Sequence, residues 1–222
     1  MANAHRPVNE RSLYDALTRY RAIAPGSWDD FMESVRSPQP VIGALRERVD
    51  HGVFGYGEAP EPLREVIVDR MGRLYDWQVS PDDVMFLPAV VTGFNLVCHA
   101  TASPGDGVLL QTPVYYPMLR TPEQAGLTND EMVLTRRPDG RYEIDFDLME
   151  ETVTERTRVF ILCSPHNPVG RVFRREELER MAEICLRNDV VICSDEIHAD
   201  IILGENHHVP TASLAPEVAQ QT

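Results

Sequence analysis

The sequence predicts an α/β fold with a mostly parallel sheet and helices on both of its faces. Two apolar runs rich in β-branched residues, Val159 to Cys163 and Val190 to Cys193, have the length of strands that are buried on both faces. Between them the pattern predicts a helix from about Arg175 to Leu186. Its apolar stripe consists of Leu178, Met181, Ala182 and Cys185. Strands that alternate with helices favour a parallel sheet with right-handed crossovers.

The preceding part of the chain is irregular at first and then shows the same alternation. Residues 1–40 are poorly patterned, and we interpret them as an N-terminal arm with at most one helix around Leu13 to Tyr20. A helix from Val41 to Val49 is expected to stop at His51 and Gly52, before a glycine-punctuated loop. The later predicted elements are an amphipathic helix from Leu63 to Leu74, a turn at Pro81 to Asp83, a strand from Val84 to Leu87, a helix from Val91 to His99 and a strand from Val108 to Gln111.

The composition is typical of a globular protein and argues against two classes of partner. The chain has 222 residues, of which 43% are hydrophobic and 25% charged, so it can bury a sizeable core. Its formal net charge of -14 argues against nucleic acid and anionic membrane surfaces, which bind positive patches. No stretch resembles a signal peptide or approaches the roughly 20 apolar residues of a membrane span. We therefore expect a cytoplasmic protein.

The cysteines and histidines do not indicate a metal site. Four cysteines occur without a C-x-x-C pair, and three of them lie in apolar runs, which favours buried, reduced thiols. His198, Asp200, His207 and His208 are close in sequence. However, adjacent histidines on one strand point to opposite faces, and no helix places these side chains at i and i+4. We therefore expect no metal.

Four segments place polar or aromatic residues directly after a predicted strand. They read P-A-V-V-T-G (Pro88 to Gly93), T-P-V-Y-Y-P (Thr112 to Pro117), S-P-H-N-P-V-G (Ser164 to Gly170) and S-D-E-I-H-A-D (Ser194 to Asp200). Open parallel sheets bind their ligands at the carboxyl ends of the strands. We therefore expect Tyr115, Asn167, Asp195 and His198 to converge on one cavity.

These motifs resemble those of a known enzyme family. The order and spacing are similar to a fold-type-I pyridoxal-phosphate enzyme of the class I/II aminotransferase superfamily. Within this superfamily, five motifs together resemble the bacterial carbon-sulfur β-lyases of the cystathionine β-lyase branch. They are H-G-V-F-G-Y, P-G-D-G-V-L-L-Q-T-P-V-Y, D-G-R-Y-E-I-D-F, P-H-N-P-V-G-R-V and S-D-E-I-H-A-D. The resemblance covers roughly Val41 to Thr222. It implies pyridoxal 5'-phosphate as cofactor, a small-molecule amino-acid substrate and, for the full-length relatives, a homodimer.

The resemblance assigns roles to four residues, each of which also has a plainer interpretation. Asp195 matches the acid that pairs with the pyridine nitrogen, although it could be a helix N-cap or a solvated loop acid. Asn167 matches the asparagine that hydrogen-bonds the phenolic oxygen, a role compatible with an Asn-Pro turn. His198 matches the residue that contacts the same oxygen, or else is structural. Tyr115 matches the aromatic ring that stacks on the cofactor; the alternatives are Tyr116 or a core tyrosine.

Two further parts of the resemblance concern the phosphate. Val90 and Val91 match the residues whose backbone N–H groups, at the positive end of a helix dipole, bind it. Ala89 stands where relatives usually have glycine, and its methyl group is expected to crowd that approach. Tyr56 matches the tyrosine that reaches the phosphate of the neighbouring subunit, although a lone tyrosine is more often a packing residue. This match implies that each active site of a dimer contains residues from both subunits.

The residue at the centre of the family's chemistry has no counterpart here. The chain contains 21 arginines and no lysine, so it has no lysine side chain to bind the cofactor covalently. By resemblance, that lysine lies roughly ten residues beyond Thr222, and a C-terminal small domain follows it. We therefore interpret residues 1–40 as an arm or remnant of the small domain and residues 41–222 as an incomplete cofactor-binding large domain.

Three functions remain open from the sequence. The first is a fragment of a carbon-sulfur β-lyase, inactive alone, whose parent converts cystathionine or another S-substituted cysteine to a thiol, pyruvate and ammonia. The second is a class I/II aminotransferase, because the same set of residues serves both reactions. The third is a remnant without catalytic activity that binds pyridoxal phosphate reversibly.

Overall fold

The computed structural model describes residues 37–222, which divide into two compact units between Glu58 and Ala59. The first unit contains helix α1 (Gln39–His51), which ends where the sequence predicts. Gly52 follows it with a left-handed φ of 71°, a conformation that glycine adopts at low cost, and donates its N–H to the carbonyls of Arg48 and Val49. The helix expected around Leu13 to Tyr20 lies outside the described residues. The proposed boundary between residues 40 and 41 stays a prediction.

The second unit contains a four-stranded parallel sheet. Its strands are β1 (Gly107–Thr112), β2 (Thr128–Val133), β5 (Thr157–Cys163) and β6 (Val191–Asp195). Their spatial order is β2, β1, β5, β6, and each neighbouring pair is parallel. A two-stranded antiparallel ribbon joins β3 (Thr135–Arg136) to β4 (Tyr142–Glu143). The carboxyl ends of all four strands therefore lie at one edge of the main sheet.

Helices cover this sheet on both faces. They are α3 (Val90–Thr101), α4 (Tyr116–Gln124), α5 (Phe146–Thr152), α6 (Arg175–Arg187) and α7 (Pro216–Gln220). Helix α2 (Glu61–Tyr75) precedes them and has no buried residue. On one face, the predicted stripe of α6 is buried against residues such as Leu109, Phe160 and Ile192. On the other face, α3 and α4 pack on a separate set that includes Val108 and Ile161. The predicted α/β class, a mostly parallel sheet with helices on both faces, is confirmed.

One predicted strand is wrong. Val84 to Leu87 follows a 3-10 turn at Pro81–Asp83 as expected, but it pairs with no strand within residues 37–222. A strand needs a hydrogen-bonded neighbour, and Arg64 binds the Val84 carbonyl instead. Met85 and Leu87 line a cleft of about 890 Å³ along the outer edge of β6. An apolar run of strand length forms a strand only where a neighbouring strand is available to hydrogen-bond its backbone.

Across residues 37–222, no helix combines the length and the apolar character that crossing a bilayer requires.

Candidate active site

The carboxyl edge of the sheet opens into a cavity of about 540 Å³. Six of the seven residues that the sequence singles out line this cavity: Val90, Val91, Tyr115, Asn167, Asp195 and His198. They come from three strand ends and one helix start, which the parallel topology brings to the same place. The volume lies in the range of small-molecule sites, about 300 to 1,000 Å³. Tyr56 belongs to the other compact unit, so its predicted phosphate contact stays a prediction.

Asp195 is the last residue of β6 and is 8% exposed. Its carbonyl accepts from the Ser164 N–H at 2.9 Å, which extends the pairing of β5 and β6 by one step. Its carboxylate Oδ1 accepts from the Ile197 N–H at 3.1 Å. Burial raises the pKa of Asp195 above its ordinary value; the Ile197 hydrogen bond and the His198 charge oppose this rise, and Glu196 adds to it. A cation placed against this carboxylate would relieve the cost of its burial.

Asn167 lies in a tight loop after β5. The loop is closed by hydrogen bonds from His166 N–H to the Arg171 carbonyl at 2.7 Å and from Gly170 N–H to the His166 carbonyl at 2.9 Å. The Asn167 N–H donates to Cys163 Sγ at 3.4 Å. The turn role and the cofactor role of Asn167 are therefore compatible, because backbone contacts form the turn and the side chain lines the cavity.

His166, which the sequence analysis did not single out, joins two walls of the cavity. Its imidazole is buried, with Nε2 at 2.8 Å from the Pro113 carbonyl and Nδ1 at 3.1 Å from the Cys163 carbonyl. Burial lowers the pKa of His166, although both carbonyls oppose this. A neutral ring can donate to only one of them. The ring thus fixes the loop before Tyr115 relative to the loop that carries Asn167.

The two adjacent tyrosines differ in position. Tyr115 precedes α4, is 38% exposed and lines the cavity, whereas Tyr116 is 64% exposed and is not among the lining residues. Their rings meet edge to face at 5.4 Å, and the Arg120 guanidinium lies over the Tyr116 ring. Of the two candidates, Tyr115 is the one placed to stack on a ligand.

Helix α3 begins at the cavity without a side-chain cap. The N–H groups of the first helical turn have no intrahelical acceptor, so those of Val90 and Val91 are available to an anion. Ala89 has an extended backbone with φ -161° and ψ 153°, a conformation that any residue adopts. The backbone at this position therefore does not require glycine. Ala89 lines the cavity, and the expected crowding of the phosphate by its methyl group stays a prediction.

The four cysteines are free thiols, three of them buried. Cys163 lines the cavity, but burial raises its pKa to about 11. Burial raises the pKa of Cys98 to about 11 as well, and those of Cys185 and Cys193 to about 12. A thiol with such a pKa stays protonated at neutral pH and is a poor nucleophile. Within residues 37–222, no three His, Cys, Asp or Glu side chains form a group that could hold a metal ion.

The groups around the cavity fit pyridoxal phosphate. A buried carboxylate suits a protonated pyridine nitrogen, an aromatic ring suits the flat face of the pyridine, and an uncapped helix start suits the phosphate. An amide and an imidazole are available to the phenolic oxygen. The cavity is also large enough for a molecule of this size.

Comparison with known proteins identifies the family. The sheet and its carboxyl-edge cavity define the large domain of a fold-type-I pyridoxal-phosphate enzyme, and residues 30–221 match the model of the family "Aminotransferase class I and II". The chain belongs to this family.

Individual relatives agree with this assignment. Cystathionine beta-lyase PatB of Bacillus subtilis is 38% identical over 185 residues, which cover 83% of this chain and 48% of that protein. A PLP-bound putative aminotransferase from Clostridium difficile 630 superposes with a TM-score of 0.76 at 31% identity, covering 84% of this chain and 48% of that one. Cystalysin from Treponema denticola, which contains pyridoxal 5'-phosphate, gives 0.75 at 31% identity, covering 84% and 47%. The chain spans about half the length of the curated relatives it matches.

Proposed function

We propose that this chain is the cofactor-binding portion of a pyridoxal-phosphate-dependent carbon-sulfur β-lyase. The observation that carries the proposal is the convergence of Tyr115, Asn167, Asp195, His198 and the start of α3 on one cavity. Similarity to a cystathionine β-lyase and to cystalysin supports the reaction type. The proposed substrates are cystathionine or another S-substituted cysteine, and the products are a thiol, pyruvate and ammonia.

Each lining group has one task in this proposal. When bound, pyridoxal phosphate acts as an electron sink for the carbanion formed at the substrate's α-carbon. Asp195 holds a proton on the pyridine nitrogen by remaining ionised beside it. Asn167 and His198 hydrogen-bond the phenolic oxygen, and the Tyr115 ring covers one face of the pyridine. The N–H groups of Val90 and Val91 bind the phosphate.

Two alternatives share this cavity. An aminotransferase uses the same groups around the same cofactor, and the superposition on a putative aminotransferase favours it as the second candidate. A binding remnant without turnover is the third, because the 222 residues contain no lysine. Arginine does not replace lysine here, since its guanidinium remains protonated at any working pH.

We also propose that the parent enzyme is a cytoplasmic homodimer. The free thiols favour a reducing compartment. The match of Tyr56 to a residue that reaches the neighbouring subunit's phosphate supports a shared active site. Cross-linking of a cysteine placed at position 56 to a partner subunit would test this arrangement.

The functional proposal is tested by assays of the purified chain with added pyridoxal phosphate. We expect neither pyruvate from cystathionine nor amino-group transfer to a 2-oxo acid above the background of the free cofactor, because no lysine is available to move the α-proton. Turnover above that background would contradict the expectation. The nucleotide sequence after codon 222 separates the remaining alternatives. A serine-lysine motif in any reading frame supports a lyase fragment, and its absence supports a remnant.

A further inference from the structure

Directly beside Asp195, Glu196 engages three separate parts of the chain. Its Oε1 accepts from the Ser194 hydroxyl at 2.8 Å and from the Thr211 N–H at 2.8 Å. Its Oε2 accepts from His208 Nε2 at 2.9 Å. The Thr211 hydroxyl lies 2.9 Å from Ser194 Oγ. Because the Ser194 hydroxyl proton is donated to Glu196, the Thr211 hydroxyl is the donor and Ser194 Oγ the acceptor. We call Ser194, Glu196, His208 and Thr211 the Glu196 clasp.

The clasp is mostly shielded from water. The His208 side chain is 1% exposed and that of Glu196 is 23% exposed. The Tyr75 ring and the His208 imidazole pack edge to face, with their centroids 5.6 Å apart and an angle of 81° between their planes. An ion pair between Arg70 and Asp200 ties the same loop to α2 a few residues further on. The segment that follows β6 is therefore fixed on both sides of His198.

Stability alone is a weak reason for such a group. A partly buried carboxylate with hydrogen-bond partners is often no more stabilising than well-packed apolar side chains, because its charge must first be removed from water. The clasp does, however, fix the backbone on both sides of Asp195. Ser194 and Glu196 flank Asp195 in the sequence, and the Ile197 N–H, one residue further on, hydrogen-bonds the Asp195 carboxylate.

We propose that Glu196 is a positioning residue: through the clasp it holds the end of β6 so that the Asp195 carboxylate and the His198 imidazole face the cavity. Nothing in the resemblance assigned a role to Glu196 or His208. The functional meaning of this inference rests on the proposed cofactor role of Asp195, while its geometric part does not.

The His208 ring allows a sharp substitution. In Glu196→Gln the side-chain amide presents N–H groups, so at least one donor of the clasp loses its acceptor. A change of tautomer at His208 does not repair this, because Nδ1 has no partner among the described residues and would become a buried, unpaired N–H. His208→Phe keeps the aromatic contact with Tyr75 but removes the donor. His208→Gln restores an N–H near the position of Nε2 and is the conservative rescue.

A matched control lies near the other end of the sheet. Asp130 Oδ2 accepts from the Thr157 hydroxyl at 2.7 Å, near the amino ends of β2 and β5. Asp130→Asn is therefore the same carboxylate-to-amide change in another inter-strand contact that lies outside the cavity.

Two measurements decide the proposal. Without cofactor, we expect faster amide hydrogen exchange at Ile197 in Glu196→Gln and His208→Phe, and unchanged exchange there in Asp130→Asn. With pyridoxal phosphate, we expect the dissociation constant to rise about two- to tenfold in the same two variants, the range of one net hydrogen bond, with a shifted cofactor absorbance. His208→Gln is expected to recover most of both effects.

Equal effects in Asp130→Asn, or none in the two clasp variants, would overturn the positioning role. If the unsubstituted chain does not bind pyridoxal phosphate at all, the proposed function fails instead. In that case the exchange rate at Ile197 alone confirms or rejects the geometric part of the inference.

Discussion

The Asp195 side chain sits in an environment that suits a ligand better than it suits the protein alone. Burial disfavours its charged form and raises its pKa, and the neighbouring Glu196 adds to that effect. The proposed role nevertheless requires an ionised carboxylate beside a protonated nitrogen. The free chain is therefore expected to sacrifice some stability at this position, as functional sites commonly do.

Asp195→Asn is expected to stabilise the free chain near neutral pH. The folded-state pKa of Asp195 is raised above its unfolded value, so ionising it is harder in the fold, and stability falls as pH rises between those two values. Asparagine can still accept from the Ile197 N–H and carries no charge. We expect Tm to rise by about 2 to 4 °C at neutral pH, roughly 1 kcal/mol for a chain of this size.

Thermal unfolding over a range of pH checks this prediction. The gain should vanish below the ordinary aspartate pKa of about 4, because Asp195 is then protonated in both states. An equal gain at every pH would show that the charge is not its cause. The same variant should bind pyridoxal phosphate more weakly than the unsubstituted chain.

The sequence predicted the lining residues better than the residues that hold them in place. Asp195 ends a strand, and Asn167 and Tyr115 lie shortly after strand ends in recognisable motifs, so their convergence follows from a parallel topology. His166 and His208 could not be predicted in the same way. Their partners, Pro113 and Glu196, lie 53 and 12 positions away, and nothing local in the sequence pairs them.

At the scale of elements, the start of α6 is linked to the loop that carries Asn167. The Arg171 guanidinium pairs with the Glu177 carboxylate and also donates to the Tyr142 carbonyl at 2.6 Å. The Arg174 N–H donates to Glu177 Oε2 at 2.9 Å. Burial, the largest single influence, raises the pKa of Glu177, but the hydrogen bonds from Arg174 and Arg171 outweigh it and the net pKa is lowered.

Glu177→Gln is expected to destabilise the fold by about 1 to 3 kcal/mol at neutral pH, because the half-buried Arg171 loses its charged partner. The lowered pKa of Glu177 means that its contribution is present above the unfolded pKa and is lost as pH falls through the folded value. Urea unfolding should therefore show the difference shrinking below about pH 4.

Glu179→Gln is the matched control on the same helix. Glu179 is 51% exposed and forms an i, i+4 pair with Arg175, which is worth about 0.3 to 0.5 kcal/mol. A loss in Glu177→Gln no larger than in Glu179→Gln would show that the Arg171 link contributes little to stability.

The strands illustrate what an apolar pattern can and cannot predict. The apolar runs of β1 and β5 are buried on both faces and are therefore visible in the sequence. The run of β6 was also predicted, but in this edge strand only Ile192 and Asp195 are buried. Strand β2 was not predicted, because it reads T-N-D-E-M-V and only Met132 is buried. It is an edge strand whose pairing with β1 depends on the backbone. Val84 to Leu87 is the opposite case, an apolar run without a partner strand in the part of the chain that the structure describes.

At the scale of the whole molecule, the outer edge of β6 is open. Among the described residues its only backbone partner is the Gln221 carbonyl, which accepts from the Ile192 N–H at 2.7 Å. The adjoining cleft is lined mainly by apolar side chains, including Met85, Leu87 and Leu96. Unpaired strand edges and apolar patches promote association.

Leu96→Arg is expected to reduce this association. Leu96 is 49% exposed, so an arginine there places a charge beside the open edge without disturbing the buried core. We expect the unsubstituted chain to self-associate with rising concentration in sedimentation velocity, and Leu96→Arg to shift it toward monomer. Leu203→Arg, at a residue that is 82% exposed outside the cleft, is the matched control. A monomeric unsubstituted chain, or an equal effect of both variants, would contradict the prediction.

We propose above all that the cavity at the carboxyl edge of the sheet binds pyridoxal phosphate through Asp195. The most direct measurement is an absorbance titration of the 222-residue chain with pyridoxal phosphate, followed by dialysis. We predict a saturable spectral change at one site, full removal of the cofactor on dialysis because the chain has no lysine, and loss of binding in Asp195→Ala but not in the exposed Asp147→Ala. No saturable change, or equal binding by both variants, would contradict the account.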